Sequence, residues 1–221
     1  MTQRIALITG ASRGLGAALA EGLALRGWHV VALARTTGAL EELDDRVKSH
    51  KSPGAGALTL APMDITDMGA MQHLCLNIHQ RWGGLQLWVH TAVHAAPLAP
   101  AGSLDAKDWA KSVACNVTAT GNLIPLVEPL LRDGNGTALF VDDPRGGDRF
   151  FAAYGASKAA QIALARSWAA ETVKTGPRVI ITAPAPMATA TRARFYPGED
   201  RSKLADPRAE AAKIIDMFID F

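Results

Sequence analysis

Short runs of apolar and β-branched residues alternate along the chain with longer stretches whose apolar positions recur at helical spacing. The runs predict strands near 4–9, 28–34, 57–61, 85–90, 136–142 and 178–183. Between them, helices are expected near 14–26, 37–49, 67–82, 105–132 (broken), 152–175 and 207–217. The strand runs are nearly continuous in apolar residues rather than alternating, as required when helices cover both faces of a sheet. Alternating strand and helix, joined by right-handed crossovers, gives an α/β doubly wound parallel sheet. No repeat, low-complexity tract or linker interrupts the pattern, so one domain over 1–221 is expected.

Two segments fall outside the pattern. Residues 91–104 are rich in Ala and Pro, and 184–206 carry Pro, Gly and charge. Loops of this length in a compact domain are lids or disordered segments. Each follows the carboxyl end of a predicted strand, the edge where ligands bind in such sheets.

Composition narrows the partners. Hydrophobic residues are 48% and charged residues 20% of the 221, and the net charge of +2 comes with no Lys/Arg cluster, which argues against a nucleic-acid partner. No apolar run approaches the roughly 20 residues of a membrane span. The chain enters Ile5-Ala6-Leu7-Ile8 almost at once, so no signal peptide and a cytoplasmic location are expected. Cys75 and Cys115 lack metal or redox spacing and read as buried free thiols. The six histidines show no ligand spacing, so no metal site is expected.

Chemistry concentrates in two motifs. Thr9-Gly10-Ala11-Ser12-Arg13-Gly14-Leu15-Gly16 links the first strand to the first helix. Gly10 permits the turn, Gly14 a close backbone approach to a pyrophosphate, and Gly16 tight packing of helix on strand, with free amides facing the anion. The second motif is Tyr154-Gly-Ala-Ser-Lys158, whose first and last residues share one helical face. An ammonium beside a phenol is expected to lower its pKa and fit it for proton transfer. Either motif alone also reads blandly, as a glycine turn or an exposed helical pair.

Together, with Gly-xxx-Gly-x-Gly spacing and the expected separation, they resemble the short-chain dehydrogenase/reductase family in its NADP-preferring branch, up to about residue 195. The resemblance implies a Rossmann-like fold and an NADP(H)-dependent enzyme interconverting a small-molecule carbonyl and alcohol, NAD(H) being the lesser cofactor. Where an acidic residue would favour NAD, the chain has Ala34-Arg35, and Arg35 with Arg13 would hold a 2′-phosphate. The family pattern places Ser12, Leu15, Ala92, Pro184 and Thr189 against the cofactor, with Asp64 and Ile65 at the adenine. It makes Tyr154 the acid-base group, Lys158 the pKa modulator and ribose anchor, and Asn116 the support of a proton-relay water. The bland alternatives are an internally satisfied helix residue for Asn116 and a plain loop carboxylate for Asp64, with the adenine contact the favoured reading of Asp64.

The pattern breaks at the substrate end. Asp143 stands where the family has a serine that polarises the carbonyl, and no Ser or Thr occurs from Ala138 to Ala156. The usual Asn-Asn-Ala-Gly reads His90-Thr91-Ala92-Val93, and the usual Pro-Gly reads Pro184-Ala185. His90 reads as a packed strand end rather than a catalyst. A carboxylate accepts hydrogen bonds and repels an oxyanion, which leaves a second reading: a dinucleotide-binding or regulatory protein with impaired catalysis. The family's seventh strand is expected to be missing or vestigial after the last helix. Ala156, Ala160 and Ala163 form a small-residue face that would either pair two subunits into a homodimer or lie on the sheet.

Overall fold

The computed structural model describes residues 3–50 and 54–219. Six parallel strands form one sheet: β1 (Ile5–Thr9), β2 (His29–Ala34), β3 (Leu58–Pro62), β4 (Leu87–His90), β5 (Thr137–Val141) and β6 (Arg178–Thr182). Their order is β3-β2-β1-β4-β5-β6, so the winding reverses between β1 and β4. Loops leaving the carboxyl ends of those two strands diverge and open a crevice, the position where ligands bind in this architecture.

Strand side chains alternate between two cores, which explains the unbroken apolar runs. Ala6, Ile8, Val30 and Val89 meet α1 (Gly14–Leu25), α2 (Thr37–Ser49) and the last helix (Pro207–Ile219) through Leu19, Leu23, Leu40, Leu43, Ile214 and Ile215. On the other face, Leu7, Val31, Trp88 and Phe140 meet α3 (Met68–Trp82), α5 (Ala119–Asp133) and α6 (Ala152–Glu171) through Met71, Ile78, Leu123, Val127 and Trp168.

Three expectations are corrected. No break divides 105–132. α4 (Ala106–Ser112) passes into α5 through a π turn at Val113–Thr118, with helical dihedrals at both joints. The helix expected over 152–175 stops at Glu171, and residues 172–175 form turns. The 184–206 segment is not structureless, because it contains α7 (Ala190–Phe195) and a short 3-10 turn at Arg201–Lys203. The last helix, α8, runs two residues beyond the expected 217, and the final two residues lie outside those described. Among the described residues the sheet has six strands, and no helix is long and apolar enough to cross a membrane.

Candidate active site

The β1–α1 turn is built by interlock. Gly10 N and Ala11 N both donate to Leu33 O, at 2.8 and 3.0 Å, which ties the turn to β2. Gly10 has φ +88°, and a Cβ there would stand 2.6 Å from Ala92 N. A Cβ on Gly16 would stand 2.3 Å from Gly10 O, so helix and turn touch backbone to backbone. Gly14 takes φ +56° and faces the Thr189 methyl, 3.3 Å from where its Cβ would be. Arg13 occupies the cap position of α1 but makes no side-chain cap bond. The first-turn amides, partnerless within the helix, are suited to an anion.

A cleft of about 830 Å³ runs from this turn along the carboxyl edge of the sheet. Its walls include Gly10, Ser12, Arg13, Gly14, Leu15, Gly16, Arg35, Asp64, Ile65, Ala92, Pro184 and Thr189, and also Asp143, Tyr154 and Lys158. The two motifs, 140 residues apart in sequence, thus face one space. Asn116 is absent from the walls. At one end Arg35 is exposed and its Nη1 lies 3.8 Å from Asp64 Oδ2. The other Asp64 oxygen accepts from Thr66 N and Thr66 Oγ1, each at 2.9 Å.

At the opposite end the β5–α6 loop brings Asp143 against the phenol of Tyr154. Tyr154 OH donates to Asp143 Oδ2 at 3.0 Å, and Arg145 Nε donates to Asp143 Oδ1 at 3.1 Å. Arg145 is shared with Asp148 at 3.2 Å. Phe151, Tyr154 and Phe195 pack as an aromatic corner, with the Tyr154 and Phe195 rings 4.7 Å apart. The expected lowering of the Tyr154 pKa is overturned. Burial, then the Asp143 charge and its hydrogen bond, raise the phenol far above its ordinary range, while only Arg145 pulls it down. The ammonium four residues on is local in sequence, whereas the enclosure that outweighs it is not.

Lys158 is also buried, and burial lowers its amine to about 8 against the pull of Asp142, Asp143 and Cys115. Its Nζ donates to Gln161 Oε1 at 2.6 Å. Gln161 Nε2 donates to Thr120 Oγ1 at 3.0 Å, which meets His90 Nε2 at 3.0 Å, while His90 Nδ1 meets Thr9 Oγ1 at 2.8 Å. This buried polar chain crosses from α6 to the residue preceding Gly10. Burial, then Lys158, lowers the His90 pKa to about 3. Because the unfolded histidine titrates near 6.5, the unfolded state binds the extra proton between those values. Stability should therefore fall as pH drops from about 6.5 towards 3. Tm measured against pH should show that loss, and His90→Gln should reduce it.

Asn116 lies in the π turn, fully buried. Its side chain donates to His94 O (3.0 Å) and Ser157 Oγ (2.9 Å) and accepts from His94 N (2.7 Å). Through these bonds it clamps the 91–104 loop to α6. Gln161, Thr120 and Arg145, which complete the site, stand outside both sequence motifs. The signal available for Gln161 was a polar residue three positions after Lys158 on a buried face. Cys75 is buried but Cys115 only half-buried, which corrects the expectation of two buried thiols, and both are free. Among the described residues no group of three or more His, Cys, Asp or Glu suits a metal ion.

A six-stranded sheet of this order, with a glycine-lined crevice at its switch point, defines the Rossmann-like α/β proteins. The model of the short chain dehydrogenase family matches residues 4–200, and the chain belongs to that family. It is 31% identical over 175 residues to a fatty acyl-CoA reductase of Acinetobacter baylyi, an alignment covering 77% of this chain and 58% of that protein. It is 29% identical over 184 residues to the 2,3-dihydro-2,3-dihydroxybenzoate dehydrogenase of Bacillus subtilis, covering 82% and 69%. The chain thus spans a little under three fifths of the fatty acyl-CoA reductases it matches. Among solved structures, a Shigella flexneri short chain dehydrogenase complexed with NADP superposes with a TM-score of 0.84 at 26% identity, covering 94% of this chain and 87% of that one.

Proposed function

We propose that this chain is an NADP(H)-dependent oxidoreductase acting on a polar double bond of a small molecule, carbonyl/alcohol interconversion being the reaction its family resemblance implies. One observation carries the reading: the glycine turn and the Tyr154/Lys158 pair line the same cleft. The residues fit a dinucleotide, because the Gly10 and Gly16 positions leave no room for a Cβ and keep backbone at the surface of the turn. When bound, reduced nicotinamide supplies a hydride to carbon. In this assignment the turn amides and Ser12 hold the pyrophosphate, and Asp64 and Ile65 flank the adenine. Ala92, Pro184 and Thr189 border the nicotinamide end, Lys158 anchors the ribose, and Tyr154 holds the exchangeable proton.

The 2′-phosphate of NADP(H) is assigned to Arg13 and Arg35. The weak 3.8 Å pairing of Arg35 with Asp64 is readily exchanged for a phosphate. Arg35→Ala should weaken NADPH binding by about 10- to 100-fold and leave NADH nearly unchanged, as measured by titration calorimetry. The NADP complex of the Shigella flexneri relative supports a nicotinamide cofactor of this kind.

Asp143 favours a second reading, a dinucleotide-binding protein of impaired catalysis, because its carboxylate occupies the only hydrogen bond that Tyr154 OH donates. NADPH and a carbonyl panel separate the two. Tight binding with no oxidation, unimproved by Asp143→Ser, favours the binder. Recovery of turnover in that variant favours the enzyme. Ala156 and Ala163 are exposed and Ala160 half-buried, turned away from the sheet. That orientation supports a homodimer through α6 as part of this reading.

A further inference from the structure

Asp143 is poorly suited to a carbonyl, and its surroundings indicate what it is suited to. Both groups that touch it, Tyr154 OH and Arg145 Nε, donate to it. Its oxygens are therefore acceptors directed at the place where a reacting group would meet Tyr154. A carbonyl oxygen gains negative charge as hydride arrives and needs donors there, and a carboxylate opposes that charge. The loop supplies no hydroxyl to compensate, since no Ser or Thr lies between Ala138 and Ala156.

The same corner already accommodates a cation. The Arg145 guanidinium sits against Asp143 and over two aromatic faces, 5.8 Å from the Phe151 ring centre and 6.0 Å from that of Tyr196. A carboxylate and aromatic faces together form a recognised environment for a positively charged nitrogen. Asp148 also binds Arg145, at 3.2 Å, so the guanidinium keeps a partner when Asp143 turns to a substrate.

We propose that the group reduced in this cleft is a protonated carbon–nitrogen double bond, with Asp143 as its counter-charge and hydrogen-bond acceptor. The proposal rests on the hydride-transfer reading above and narrows its substrate class. In the step, the hydride from reduced nicotinamide brings its electron pair to the iminium carbon. The π pair of the C=N bond moves onto nitrogen, which already carries its proton. The products are a neutral secondary amine and the oxidised nicotinamide, and no further proton is needed. Asp143 raises the fraction of bound C=N that is protonated, the form a hydride attacks. The elevated Tyr154 phenol, a poor acid in this enclosure, agrees with an acceptor that arrives already protonated.

The test separates binding from turnover. Into the full chain saturated with NADPH, where neither ligand can react, 2-methylpyrrolidine (protonated at neutral pH) and its uncharged isostere 2-methyltetrahydrofuran are titrated by calorimetry. The amine should bind at least about tenfold more tightly, and Asp143→Asn and Asp143→Ser should each erase the difference. In turnover with NADPH, 2-methyl-1-pyrroline should exceed 2-methylcyclopentanone in kcat/KM, and Asp143→Ser should shift the preference towards the ketone. Equal binding of amine and ether by the wild-type chain, or a wild-type preference for the ketone, overturns the proposal. Failure to bind either NADPH or NADH overturns the hydride-transfer reading beneath it instead.

Discussion

Gly10→Ala is expected to destabilise the protein by about 3 kcal/mol or more and to abolish dinucleotide binding. Two costs coincide at this position. The backbone has φ +88°, where an L side chain is strained, and the added methyl would stand 2.6 Å from Ala92 N and 2.8 Å from Ala92 Cα. Neither obstacle is a flexible side-chain end, so relief requires the strand-end backbone to move. That movement pulls on Thr91, whose N and Oγ1 both donate to Thr9 O, at 2.9 and 2.7 Å. The damage therefore reaches the junction of β1 and β4 at the head of the cleft. For a chain of this size the loss corresponds to a fall in Tm of about 10 °C, readable by thermal denaturation. Gly38→Ala is the control, because that glycine has nothing within 4 Å of its would-be Cβ and no positive φ.

Lys158→Met is the second large effect. The variant should reduce kcat/KM by about 10²–10³-fold through loss of a preorganised charge. It should lose little or no stability at neutral pH, because a buried ammonium is itself unfavourable there. The sign follows from the lowered pKa of about 8 against an ordinary 10.5. The unfolded state holds the proton more tightly across that interval, so this residue makes stability rise with pH between about 8 and 10.5. Activity should move the opposite way. If the charged amine is the working form, wild-type kcat/KM falls above about pH 8, and the residual activity of Lys158→Met lacks that limb. A wild-type profile flat to pH 10 would contradict the assigned role.

The glycine turn and the Tyr154–Lys158 spacing were legible in the sequence because each is local. A turn needing positive φ and two side chains one helical turn apart are set by neighbours in sequence. The parallel sheet was legible for a related reason, since burial on both faces removes alternation from every strand. The family resemblance puts Asp143 beside the phenol, but its partnership with Arg145 depends on how residues 142–151 coil back, which no periodicity encodes. The chain from Lys158 through Gln161, Thr120 and His90 to Thr9 joins α6, α5, β4 and β1. Such a link exists only after four elements have packed. The phenol's altered acidity is hidden for the same reason: a neighbour four residues away is visible in sequence, and enclosure by Phe151 and Phe195 is not.

The two walls of the substrate end differ in how far they can be altered. Residues 91–99 are pinned at Thr91 by β1, at His94 by Asn116, at Ala95 by Arg194 and at Ala99 by Phe150. The opposing segment around α7 is fastened largely to itself, through Arg192–Glu199, Ala188–Ala205 and Arg201–Ala188. Efforts to re-tailor which molecules the cleft admits should accordingly mutate Ala190 and Thr191, which line it from that segment, because that side can be reshaped while the glycine-lined floor keeps its grip.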